Sequence, residues 1–207
     1  RVPPAARPGG ASVIPDHIAS KMLFLALCEC LRWWHWFDAA QLQLIGANGE
    51  MTGNDVRRIG KHYGFARNLH PEADDVLADG LNELADENGL NLAERAHQLE
   101  TFIIAHQNQF QARFRLVSGT TKLFWFVSPS SWTPFDRLAS RGLGVGGTSL
   151  ERMTAFYKKL HDIGFTDHSV DLQGQLERHG FGYLRAERVF DKLLMIRGAE
   201  GAAKAGM

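Results

Sequence analysis

The chain has 207 residues, 44% hydrophobic and 22% charged, enough apolar content to build one packed domain. Its formal net charge is zero, which argues against a strongly basic, nonspecific nucleic-acid binder. The two cysteines, Cys28 and Cys30, match neither a disulfide nor a zinc pattern and read as buried thiols of a reducing compartment.

The neutral average conceals a polarity. No basic residue occurs from Glu72 to Glu94, a stretch rich in Asp and Glu, whereas Lys and Arg outnumber acids over 112–207. Residues 1–15 are rich in Pro, Ala and Gly and read as a flexible tail without the apolar segment of a secretory signal. The apolar run 22–28 is too short to span a bilayer. The expectation is a soluble, cytoplasmic protein that does not meet a membrane.

From there the chain reads as helices. Met22, Leu25, Leu27, Leu31, Trp34 and Phe37 recur every three or four residues. Gly46 to Gly49 reads as a turn. Thr52 and Asp55 form a capping-box pattern for a short helix stopping at Gly64, and Leu69-His70-Pro71 is a break. An acidic helix follows over 76–87, and Asn91 with Glu94 caps a long helix reaching about Phe110. Gly142 to Gly147 reads as a glycine hinge, and Thr148 with Glu151 caps a helix ending near Gly164. One more turn-rich or helical piece fits 167–182. A last helix over 183–196 takes Gly198 as its C′ residue, with a fraying tail beyond. Alternation is scarce; 113–117 is the best strand candidate and is discounted. The fold expected is all-α: one helical domain over 16–200, with an N-terminal lobe (16–111), a core (112–142) and C-terminal helices (148–198).

The core segment carries the chemistry. The small residues Ser118, Gly119, Thr120 and Thr121 read as a turn that delivers Lys122 to an apolar run, Leu123-Phe124-Trp125-Phe126. A loop containing Pro134 then delivers Asp136. An amine nucleophile must be partly neutral, and apolar surroundings lower its pKa. A carboxylate beside it stabilises positive charge at a sugar carbon or moves a proton. The same residues also fit a surface lysine and a helix N-cap aspartate.

This segment resembles the catalytic core of helix-hairpin-helix DNA glycosylases, in particular the bacterial 8-oxoguanine DNA glycosylase-like branch. The likeness rests on Ser118-Gly-Thr-Thr-Lys122, on Trp132-Thr-Pro-Phe-Asp136-Arg137, and more loosely on Tyr183-Leu-Arg-Ala-Glu-Arg-Val-Phe-Asp191. Of the hairpin's usual glycines only Gly119 is present, and the interval from Lys122 to Asp136 is several residues shorter than in the best-known members. The resemblance implies a helical glycosylase-like fold and excision of a modified purine from DNA, with lyase activity through a Lys122 Schiff base and Asp136 assisting. It further implies DNA contacts from Ser118, Gly119, Thr120, Thr121, Arg115 and Arg137, and Trp125, Trp132 and Phe135 beside a flipped base. No cofactor is implied. A rival register sets Leu143-Gly-Val-Gly146 as the hairpin and Asp167 as the acid, with Thr148 where lysine would stand. The alternative function is an inactive module of the same fold that binds nucleic acid or a protein partner.

Two further clusters are weaker. Arg32-Trp-Trp-His-Trp-Phe37 suits base stacking, but its spacing on an apolar helix favours a core. Tyr63, Arg67 and His70 fit a cleft lining or a solvated loop. His97 and His106 are expected on one helix without sharing a face, so no metal site is expected.

Overall fold

A computed structural model describes residues 16–86, 89–110 and 113–205. The expected tail over 1–15 lies outside them. Every element among the described residues is helical, and a single isolated bridge pairs Leu69 with Phe110. None of the described helices is long and apolar enough to cross a membrane.

The first helical region is one long rod with a defect. Helix α1 (Asp16–Trp33) passes through a π turn, Trp34–Asp38, into α2 (Ala39–Asn48). Met22, Ala26, Cys30, Trp34 and Asp38 are all buried, each four residues after the last. Steps of four drift around an ordinary α-helix of 3.6 residues per turn, and the wider π turn holds the later ones on the inner face. Asp38 is thereby turned inward while His35 and Trp36 stay outside. The aromatic cluster read as core is therefore split: Trp34 is buried and Trp36 is 79% exposed. Cys28, expected to be buried, is exposed; Cys30 is buried, and burial pushes its thiol up to about 12. The turn read at Gly46 is helix, and the chain reverses only at Gly49, where φ is 82°.

The capping boxes stand where they were read. Thr52 and Asp55 start α3 (Gly53–His62), Asn91 and Glu94 start α5 (Leu92–Ala105), and Thr148 and Glu151 start α8 (Ser149–Asp162). Between the first two boxes lies the acidic helix α4 (Ala73–Asp86). Helix α6 (Arg113–Val127) takes the centre and packs against α2, α3, α4, α5 and α8. Val117 and Gly119 to Thr121 are buried, as are Leu123 to Phe126, so its middle is enclosed except where Ser118 and Lys122 stand half-buried. This corrects the turn read at Ser118-Gly119-Thr120-Thr121. Weak helix formers are carried there by tertiary burial, and Gly119 admits the Phe65 ring, which would lie 3.3 Å from an added Cβ.

Three helices complete the fold: α7 (Arg137–Gly142), α9 (Phe165–Arg178) and α10 (Ala186–Ala205). The last helix does not stop at Gly198. That residue is buried in mid-helix, where α10 crosses α7 backbone to backbone. A Cβ on Gly198 would stand 2.0 Å from the Leu138 carbonyl oxygen, and one on Gly142 would stand 2.2 Å from that of Leu194. Gly142 is thus a packing residue of α7 rather than the start of a hinge.

Candidate active site

The α6–α7 junction sets Lys122 and Asp136 within electrostatic reach of each other, without an ion pair between them. Lys122 lies on α6, half-buried, and its Nζ donates to Ser118 Oγ at 2.5 Å. It also reaches the carbonyl oxygens of Ser118 at 3.3 Å and Phe135 at 3.5 Å. Ser118 Oγ in turn donates to the Phe135 carbonyl at 3.0 Å, tying α6 to the loop that carries the acid. Asp136 is the N-cap of α7, and its Oδ1 accepts from the Ala139 N–H at 2.8 Å.

Burial lowers the pKa of the Lys122 amine, against the pull of Asp136 and Asp191. Burial also raises the Asp136 carboxyl, helped by the negative charge of Asp191 and opposed by the Ala139 amide and Lys122. Both groups are therefore poised closer to their neutral forms than free side chains are. For the lysine the folded value lies below the unfolded one. Its charge thus destabilises the fold at neutral pH, and the penalty is relieved as pH rises through the lowered value.

Beneath the pair lies a buried polar centre. Arg188 on α10 donates through Nε to Asp38 Oδ2 at 2.9 Å, through Nη2 to Tyr63 Oη at 2.8 Å, and through Nη1 to Asp191 Oδ2. Tyr63 Oη donates to Asp38 Oδ1 at 2.7 Å, closing a ring of bonds between α10, the π turn and the end of α3. Burial opposes the Arg188 charge, but Tyr63, Asp191 and Asp38 outweigh it and hold the guanidinium protonated. Lys192 Nζ stands 3.8 Å from Asp191 Oδ2 and 5.7 Å from the Trp33 ring. Lys122 Nζ lies 6.0 Å from the Tyr63 ring, so the ring that Arg188 and Asp38 hold by its hydroxyl also borders the amine. Replacing Tyr63 by phenylalanine keeps that ring but removes bonds to two charged groups. It should cost about 2 kcal/mol by urea denaturation; a loss under about 0.5 kcal/mol would mean the hydroxyl does not hold the centre together.

Comparison of the chain with family models, curated proteins and solved structures gave no match.

The remaining expectations fare unevenly. The backbone N–H groups of Ser118 to Thr121 lie inside α6, where helical bonding uses them, so they are not free for the DNA contacts expected of these residues. The Arg115 side chain lies outside the described residues; Arg137 and Arg141 are exposed. Trp125 and Trp132 are 0% exposed and Phe135 is 3% exposed. Trp132 stacks on Tyr157 at 3.9 Å, and Phe135 meets Phe156 edge-on at 5.4 Å. A base stacking on these rings would have to displace the core. In the rival register, Asp167 is an exposed residue in the first turn of α9.

The structure has two notable cavities away from the pair. One, of about 620 Å³, lies between α4 and α5 and is lined by Asp79, Glu83, Phe102, His97 and His106 among others. The two histidines thus share a cavity wall although their spacing argued against it, because α5 ends at Ala105 and His106 folds back to bond the Phe102 carbonyl. The other, of about 360 Å³, is lined in part by Asn91, Arg95, Ser131, His161 and Asp167. Neither cavity includes Lys122 or Asp136 in its lining. No group of three or more potential metal ligands occurs among the described residues.

Sequence reasoning missed Asp38, Arg188, Asp191 and Lys192 as parts of a centre. The legible signal was the placing of Arg188, Asp191 and Lys192 among Val189, Leu193 and Leu194 on the last helix. Charges set into an apolar face need partners elsewhere in the fold.

Proposed function

We propose that this protein excises a base from DNA, with Lys122 as the attacking amine and Asp136 as its acidic partner. The observation that carries the reading is the placing of the Lys122 amine, bonded to Ser118 Oγ and the Phe135 carbonyl, next to the loop that delivers Asp136, in surroundings whose burial draws the amine's pKa down. A neutral Nζ bonds to C1′ of a deoxyribose as the C1′–N glycosidic bond breaks. The electron pair leaves with the base, which takes up a proton. Asp136 offsets the positive charge that grows on the sugar and accepts the proton that the attacking amine sheds. The C1′–O4′ bond then breaks, O4′ takes the proton back from Asp136, and the nitrogen lone pair forms a protonated imine between Nζ and C1′, the step that lyase chemistry requires. A modified purine such as 8-oxoguanine is the substrate that the motif resemblance favours.

Borohydride trapping tests the proposal on oligonucleotides carrying 8-oxoguanine or an abasic site, in single and double strands. The wild-type chain should give a covalent adduct that Lys122→Ala abolishes. Asp136→Asn keeps the helix cap, since asparagine caps as well as aspartate. It should slow adduct formation about a hundredfold through the lost charge. The rate should rise with pH and level off below the range in which an ordinary lysine amine deprotonates, because the folded value is lowered. An adduct that survives in Lys122→Ala would move the chemistry elsewhere. No adduct and no base release across a panel of lesions would leave a binding module without catalysis.

A further inference from the structure

The aromatic segment that the polar centre does not absorb forms a surface of its own. The π turn sends Trp34 and Asp38 inward and leaves His35 and Trp36 outside. The loop between α9 and α10 brings Tyr183, with Phe181 next to it, beside His35, one residue from Trp36. The His35 and Tyr183 rings lie 5.7 Å apart, and those of Phe181 and Tyr183 lie 6.3 Å apart. Trp36 is 79% exposed, Tyr183 48% and Phe181 37%. Large rings left this far in water forgo the gain of burial, and a cluster of them marks a contact surface.

The charges beside the rings indicate what covers them. Arg32 and Arg185 are exposed and flank the two aromatic segments, and the Arg32 guanidinium lies 5.9 Å from the Trp33 ring. Glu177, against whose side chain Gly182 packs, has its carboxylate hydrogen-bonded by Gln173. Exposed arginines close in sequence to exposed rings suit a polyanion that carries flat apolar groups. A duplex hides its base faces within the stack, whereas a single strand offers them.

We propose that His35, Trp36, Phe181 and Tyr183 form a stacking platform for the bases of single-stranded nucleic acid, with Arg32 and Arg185 meeting its phosphates. The platform binds undamaged strands and requires no excision step. It extends the proposed nucleic-acid partner to a surface that the glycosylase-like motifs do not include.

Fluorescence anisotropy with labelled dT15, a strand with no lesion or abasic site, reads the platform apart from the Lys122 chemistry. Trp36→Ala and Tyr183→Ala should each weaken binding about tenfold. Both side chains are exposed, and unchanged far-UV circular dichroism would confirm that the variants fold. Arg32→Ala with Arg185→Ala should flatten the dependence of affinity on salt. The strand should quench tryptophan emission in the wild type and less so in Trp36→Ala. Absence of dT15 binding, or affinity unchanged in both aromatic variants, would overturn the proposal. An emission change with phosphatidylserine vesicles but not with dT15 would overturn it in favour of a membrane surface.

Discussion

Arg188→Met should lower the stability of this protein by about 3–5 kcal/mol, a large part of what a domain of this size possesses. The guanidinium makes its bonds to Asp38, Asp191 and Tyr63 while only 3% of its side chain is exposed. Removing it strands two carboxylates that are themselves almost fully buried. The penalty is that of uncompensated buried charge rather than of lost attraction alone. The triple variant Arg188→Met, Asp38→Asn, Asp191→Asn should recover part of the loss, because both stranded carboxylates are gone, while Lys192 gives up its pairing with Asp191. Urea denaturation of the two variants decides the matter. If the triple variant is no more stable than the single one, packing and not charge pays for the loss. Loss of Arg188 also removes a positive charge that helps lower the Lys122 pKa, so adduct formation by any folded fraction should shift to higher pH.

Gly198→Ala should destabilise the fold by about 3 kcal/mol, although alanine is the better helix former by about 1 kcal/mol. The added Cβ meets the Leu138 carbonyl at 2.0 Å, and a backbone oxygen cannot swing away as a side chain can. Relief requires α7 to separate from α10. That motion displaces Asp136, the cap of α7, from its setting relative to Lys122 on α6, so adduct formation should fall along with stability. Gly142→Ala should behave alike, since its Cβ meets the Leu194 carbonyl at 2.2 Å. Gly46→Ala is the control. It lies within α2 with nothing within 4 Å of its added Cβ, and should gain a fraction of a kcal/mol. Thermal melts of the three variants should order them with Gly46→Ala highest. Equal melting points for Gly198→Ala and wild type would mean that the two helices do not cross so closely.

The helix starts were legible because their chemistry is local. At Thr52, Asn91 and Thr148 the cap and its acid partner lie three residues apart, and the structure places all three boxes as read. Helix ends judged by glycine alone were less secure. Gly64 follows the end of α3 with φ at 75°, but Gly198 looks the same in sequence and serves a helix crossing instead. Ser118 to Thr121 misled for a related reason. Their weak helix propensity is visible in the sequence, whereas the five helices that enclose α6 are not.

Order along the chain thus determined the all-helical character, the capped starts of α3, α5 and α8, and the candidacy of Lys122 and Asp136. Tertiary structure alone decided that Asp38 reaches Arg188 across 150 positions of sequence, that Tyr63 joins them, and that Trp125, Trp132 and Phe135 are sealed within the core. It also decided that Trp36 is left exposed and that Tyr183, from the far end of the chain, meets both His35 and Phe181. Caps and periodicity are set by neighbours within a turn or two. Buried charge and ring exposure depend on which distant element arrives opposite, and that follows from closing the whole core at once.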